Sequence, residues 1–208
     1  MEGRPIRKKT SLTDSKNTRQ DILDIAAKLF SQRGYNGTPL RDIADAVNMK
    51  AGSLYYHFDS KEQMVLEVFT LGIESIHNTV IERVKVLAKN SSTRSILVAA
   101  ATGHLEALLE KGDYSSTSIR NFGQMPEPIK SKVMVIRDKY ESLWRDWLSE
   151  GLRNGEIKEG IDLSIFRLTV LGALNRTLEW YRPGKHSVEQ IAEMQIGFFW
   201  DGIANKKV

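Results

Sequence analysis

Apolar side chains recur at intervals of three and four residues along almost the whole chain, a spacing that builds helices and leaves strands no role. Between Lys16 and Arg33 they fall at Ile22, Ile25, Ala26, Leu29 and Phe30, one face of an α-helix that Gly34 should stop. Thr38 is a good N-cap and Pro39 suits a first helical position, so a short second helix is expected with Leu40, Ile43, Ala44 and Val47 inward. Asn48 stands where the chain must turn, and asparagine tolerates the left-handed backbone better than most residues. A third short helix, roughly Ala51 to His57, should bury Leu54 and Phe58. Asp59 or Ser60 then caps a long fourth helix whose apolar residues run from Met64 to Leu87.

The same style continues. NSSTRS reads as a break, Ile96 to Leu109 as a helix and KGDYSSTS as a second break; Pro126 and Pro128 then open a helix from about Ile129 to Arg153. RNGEIKEG is a turn, and two last helices, about Leu163 to Tyr181 and Val188 to Ala204, flank RPGKHS. Fifteen glycines and five prolines in 208 residues leave little punctuation, and no alternation of useful length appears. The fold class expected is all-α, with about nine helices.

Charge is distributed unevenly. Residues 1–61 carry 11 Lys/Arg against 7 Asp/Glu, while the remaining residues carry 19 of each. The whole excess of +4 lies in the first 61 residues, which suits either a polyanionic partner for that end or a solvated basic tail supplied by Arg4, Arg7, Lys8 and Lys9. There is no cysteine, so disulfides, thiolate metal sites and cysteine nucleophiles are excluded. The basic start MEGRPIRKKT is not followed by the apolar segment of a secretory signal. The longest apolar stretch, Ile96 to Ala101, is far short of the ~20 residues of a membrane span. A cytoplasmic protein without a membrane partner is expected.

Leu40 to Phe58, LRDIADAVNMKAGSLYYHF, has the layout of a helix-turn-helix: a short helix, a tight turn, and a second short helix with polar groups outward. Small Ala51, Gly52 and Ser53 would let its backbone approach a groove, while Lys50, Tyr55, Tyr56 and His57 can reach phosphates and base edges. A tight three-helix corner whose tyrosines merely pack is the competing reading.

The motif Gly52-Ser53-Leu54-Tyr55-Tyr56-His57-Phe58 with Ser60-Lys61-Glu62 behind it, together with Phe30–Gly34, Gly37-Thr38 and Leu40-Arg41-Asp42-Ile43-Ala44, resembles the DNA-binding domain of the TetR family of bacterial transcriptional regulators. The resemblance implies an N-terminal three-helix DNA-binding domain over residues 16–61, a helical effector-binding and dimerisation domain over 62–208, and a basic arm over 1–15. It implies phosphate contacts for Thr38, Arg41, Tyr56 and Lys61, and base or thymine-methyl contacts for Lys50, Ala51, Ser53 and Tyr55. His57 can serve either role, and Gly52 admits the backbone. Asn48 and Lys50 depart from the family's usual turn glycine and Ser/Thr cap.

One short helix reads too little DNA for a useful specificity ratio, so two copies on one duplex are expected. The last two helices carry candidate dimer stripes: Ile165, Leu168 and Gly172 on one, Val188, Ile191, Ala192, Gln195, Phe198 and Phe199 on the other. Polar or large residues among the apolar ones of the middle helices are candidates for a small-molecule site: His104, Phe122, Met125, Trp144, Trp147, Asn175 and Arg176. The stretch Gly172 to Pro183, GALNRTLEWYRP, is similar to a TetR subgroup regulating fatty-acid, steroid and related acyl catabolism, which implies an acyl-CoA thioester as effector.

The four histidines show no metal spacing, and no nucleophile elbow, P-loop or dinucleotide fingerprint is present, so no enzyme, metal or cofactor is expected. The leading reading is a homodimeric repressor released from a palindromic operator by a small apolar effector. The alternative is a DNA-organising protein of the same fold that answers to no effector.

Overall fold

The computed structural model describes residues 12–205, with side chains from Thr18 onward. Nine α-helices follow in chain order among the described residues: α1 (Leu12–Arg33), α2 (Leu40–Ala46), α3 (Ala51–Leu54), α4 (Lys61–Lys85), α5 (Thr93–Glu110), α6 (Gly112–Arg120), α7 (Glu127–Arg153), α8 (Leu163–Trp180) and α9 (Val188–Ile203). A single 3-10 turn, Phe122–Gln124, joins α6 to α7, and the only extended pairing among the described residues is one bridge between Ile157 and Ala204. The all-α expectation holds.

Helices α1 to α3 form a small head around Ile22, Phe30, Ile43 and Leu54, all with 0–1% exposure. Gly34, at φ 75°, ends α1, and Asn48, at φ 54°, turns the chain from α2 to α3 in the expected left-handed conformation. Ser60 caps α4 by accepting from the amide of Gln63. By length and composition α4 could cross a bilayer, yet its apolar side, from Met64 to Val80, is buried in the protein core. Helix α4 packs on α5, α6 and α7, while α5 is sandwiched further by α8 and α9. Gly103 makes the α4–α5 approach possible: a Cβ there would sit 3.0 Å from the Thr79 carbonyl oxygen and the Val80 Cα.

Two expectations need correction. The first helix begins at Leu12, four residues before Lys16, so part of the expected arm is helical; residues 1–11 lie outside the described residues. More consequential, the segment read as a break at KGDYSSTS is helix α6. Its Ser115, Ser116, Thr117 and Ser118 are weak helix formers, but packing against α1 and α4 buries all four to 8% exposure or less. Tertiary burial overrides propensity there.

Candidate nucleic-acid interface and effector cavity

The helix-turn-helix presents its outer face as the sequence pattern requires. Leu54 and Phe58 are buried, while Arg41, Lys50, Ala51, Gly52, Tyr55 and Tyr56 are exposed, Tyr56 to 88%. Ser53 and His57 are half-buried. Helix α3 has only one regular turn, and the chain tightens after it: Tyr56 donates its amide to Ser53 and His57 to Leu54. Lys50 is its N-cap and offers no side-chain cap, as its chemistry dictates.

Two candidate phosphate contacts sit differently from expectation. Thr38 is completely buried, and its hydroxyl donates to the Gly34 carbonyl at 2.8 Å, with the Leu29 carbonyl at 3.3 Å. It fixes the α1–α2 corner, where it has no access to DNA; Pro39, not Thr38, is the N-cap of α2. Lys61 is half-buried, with its ammonium 4.0 Å from the centre of the Tyr35 ring, and burial lowers its pKa. Tyr35 in turn donates to Glu62. Arg19 braces the same corner by forking onto Glu67 of α4 while stacking on Phe58.

Below the head, α4, α5, α6, α7 and α8 line a partly open cavity of about 310 Å³. Gly72, Ile73 and Ile76 wall one side and Leu168 and Leu171 another. His104 lies at the bottom with 2% exposure, its Nδ1 2.7 Å from the Tyr140 hydroxyl and its Nε2 3.2 Å from Asn175 Oδ1. Burial pulls its pKa down to about 4, against the smaller opposing effect of Asn175, so the ring is neutral. A neutral ring donates from Nε2 to Asn175 and accepts from Tyr140, which burial likewise holds protonated. Ser115 and Ser118 line the cavity with buried hydroxyls that find no partner.

Of the candidate ligand residues, the cavity gathers His104 and Asn175. Trp144 is sealed in the core at 1% exposure with Trp147 edge-on at 6.0 Å, and neither lines the cavity. Met125 is buried under the start of α7, Arg176 is exposed, and Phe122 lies beneath the Arg137 guanidinium. Sequence reasoning missed Arg137, Tyr140, Ser115 and Ser118. The serines sat in a segment read as a loop, whereas Arg137 and Tyr140 fall at four and seven residues after buried Val133, a spacing that places both on the inward face of α7.

Helix α6 joins cavity and head. The adjoining face and the C-cap hold α1: Tyr114 donates to Asp24 at 2.5 Å, Thr117 to the Ala27 carbonyl at 3.0 Å, and Asn121, the C-cap, to the Phe30 carbonyl at 3.1 Å. Asn121 Oδ1 also accepts from the Tyr35 amide at 2.9 Å, so one buried side chain pins both sides of the Gly34 turn.

The candidate dimer residues divide by burial. Ile165, Leu168 and Phe198 are 56–76% exposed and Gly172 is open, and Trp180 and Met194 on the same two helices are exposed as well. Ile191 and Ala192 face inward where α9 packs on α5, so they are core. Val188, Gln195 and Phe199 are half-buried, Gln195 donating to Thr177 and Phe199 meeting Phe166 edge-on.

Residues 22–68 match the family of bacterial regulatory proteins, tetR family, and residues 90–203 match the tetracyclin repressor-like C-terminal domain. The chain is 30% identical over 193 residues to the HTH-type transcriptional repressor KstR2 of Rhodococcus jostii, covering 90% of this chain and 91% of that one. The fatty acid metabolism regulator protein of Bacillus subtilis is 23% identical, with 89% and 95% covered. Among solved structures, AibR in complex with isovaleryl coenzyme A and operator DNA superposes with a TM-score of 0.75 at 24% identity, covering 87% of this chain and 97% of that one.

Proposed function

The chain belongs to the TetR family of bacterial regulatory proteins, and from that membership we propose that it is a homodimeric repressor released from its operator by an acyl-CoA thioester. One observation carries the reading: α6 is a shared wall, with Ser115 and Ser118 on the cavity and Tyr114, Thr117 and Asn121 bonded to the DNA-reading head. An occupant that displaces the first face moves α1 with the second. Release then follows if the occupant binds better to the arrangement that fits DNA worse.

The acyl part of the effector suits a small cavity lined by Ile73, Ile76, Leu168 and Leu171. Arg120, paired with Glu179, and exposed Arg176 stand next in sequence to the lining residues Ile119 and Asn175, and the trio offers net positive charge to those nucleotide phosphates that the cavity does not take. Relatives named a fatty acid metabolism regulator and a protein complexed with isovaleryl coenzyme A support that chemistry. Pairing of two copies through Ile165, Leu168, Trp180, Met194 and Phe198 would cover the large apolar side chains left open on α8 and α9. The working division is a DNA-binding unit over 16–61 and an effector and dimer unit over 62–208, acting on DNA in the cytoplasm.

Anisotropy of labelled DNA from the gene's upstream region tests the proposal at fixed salt. Tight binding, reversed by an acyl-CoA but not by CoA alone, is the expected result. Binding that no acyl-CoA disturbs removes the effector assignment, and absence of specific binding removes the repressor. A second measurement tests the interface: Arg41→Ala should weaken operator and random DNA alike and lower the salt slope by about 1. Unequal losses would instead make Arg41 a base reader.

A further inference from the structure

Arg137 projects from α7 into the cavity wall as a half-buried cation with little to neutralise it. Its guanidinium donates to the Ser118 main-chain carbonyl at 2.8 Å and stacks 4.2 Å from the centre of the Phe122 ring. No carboxylate forms an ion pair with it among the described residues. Glu141, one turn further along α7, is the only acid lining the cavity, and Arg167 of α8 already binds it at 3.2 Å in a mostly buried pair. Two guanidinium groups therefore share one carboxylate. His104 adds no charge, since burial keeps it neutral.

Arg137, Arg167 and Glu141 together thus leave one positive charge at the cavity wall, with spare donors beside it. Ser115 and Ser118 stand at 1% and 5% exposure with hydroxyls that bond to nothing. Orphan buried hydroxyls beside an under-neutralised guanidinium are costly unless a ligand completes them. An anionic oxygen group is the ligand chemistry that suits all three, because guanidinium and hydroxyl groups both donate to such oxygens.

We infer that Arg137, Ser115 and Ser118 form an anion subsite within the cavity, receiving a carboxylate or phosphate oxygen on an otherwise apolar ligand. The inference rests on the cavity being the effector site. It also gives the ligand a direct hold on α6, because Arg137 is bonded to the Ser118 backbone and Ser118 lies on the helix that grips the head.

Calorimetric titration of the full chain with octanoate, 1-octanol, octanoyl-CoA and CoA alone tests this, using wild type, Arg137→Gln, Arg137→Lys and Ser115→Ala. Wild type should bind an anionic octyl ligand about tenfold or more tighter than octanol, and Arg137→Gln should erase that preference while binding octanol unchanged. Arg137→Lys, which keeps the charge, should retain part of it, and Ser115→Ala should weaken only the anions. Arg137-dependent binding of octanoate identifies a carboxylate as the enclosed anion, whereas such dependence for octanoyl-CoA alone identifies a phosphate. Equal affinity for octanol and the anions, or a preference that survives Arg137→Gln, overturns the subsite and leaves the cavity reading intact. Failure of every octyl compound to bind overturns the cavity reading and the subsite together.

Discussion

Trp144→Ala is expected to destabilise the fold by about 3–5 kcal/mol, the range for emptying a buried indole site. The ring is 1% exposed, lies outside the cavity and meets Trp147 edge-on, so the loss is one of packing. Denaturant unfolding of the two variants reads the effect, with Trp147→Ala, half-buried, losing distinctly less. The more conservative Trp144→Phe should stay folded and bind cavity ligands as wild type does. A large drop in ligand affinity for that variant, with stability kept, would return Trp144 to the binding site.

Acidification should remove about 3 kcal/mol of stability through His104 alone. Burial lowers its pKa to about 4, whereas the unfolded chain titrates near the ordinary value of 6.5. Between these values the unfolded state binds the proton and the folded state does not, so protonation favours unfolding. The contribution is complete above pH 6.5, falls as the pH drops towards 4, and changes little below that. Unfolding free energies of wild type and His104→Gln at pH 4.5 and 7.5 measure it. Wild type should lose more than the variant, and parallel losses would show that the ring is not desolvated as its position between Tyr140 and Asn175 requires.

Neutral His104 also bears on what the cavity prefers. A charged imidazole would repel Arg137 and share the incoming anion. As it is, the Tyr140–His104–Asn175 chain is a neutral floor, and Arg137 with the Arg167–Glu141 pair sets the sign of the cavity. Helix α6 is what lets that matter for DNA: a serine face on the cavity and a Tyr114–Thr117–Asn121 face on α1 lie on one short rod.

Much of this protein could be read from residue spacing. The face Ile22, Ile25, Ala26, Leu29 and Phe30, the left-handed Asn48, the buried Leu54 and Phe58 and the long α4 each follow from local rules that tertiary contacts then reinforce. The outward set Arg41, Lys50, Ala51, Tyr55 and Tyr56 was legible too, because the inward residues of α2 and α3 leave only one other face.

Other features were decided only by the packing of helices far apart in sequence. Helix α6 is not legible in the sequence because its serines and threonine favour helix only when neighbouring helices bury them. Thr38 looked like a cap with an open hydroxyl until the α1–α2 corner closed over it. On α9, Ile191 and Phe198 belong to one apolar stripe, and only the seat of α9 on α5 determines that the first is core and the second open. Arg137, Ser115 and His104 meet for the same reason: periodicity fixes which side of a helix is apolar, whereas a cavity is the space several helices fail to fill, and that depends on all of them at once.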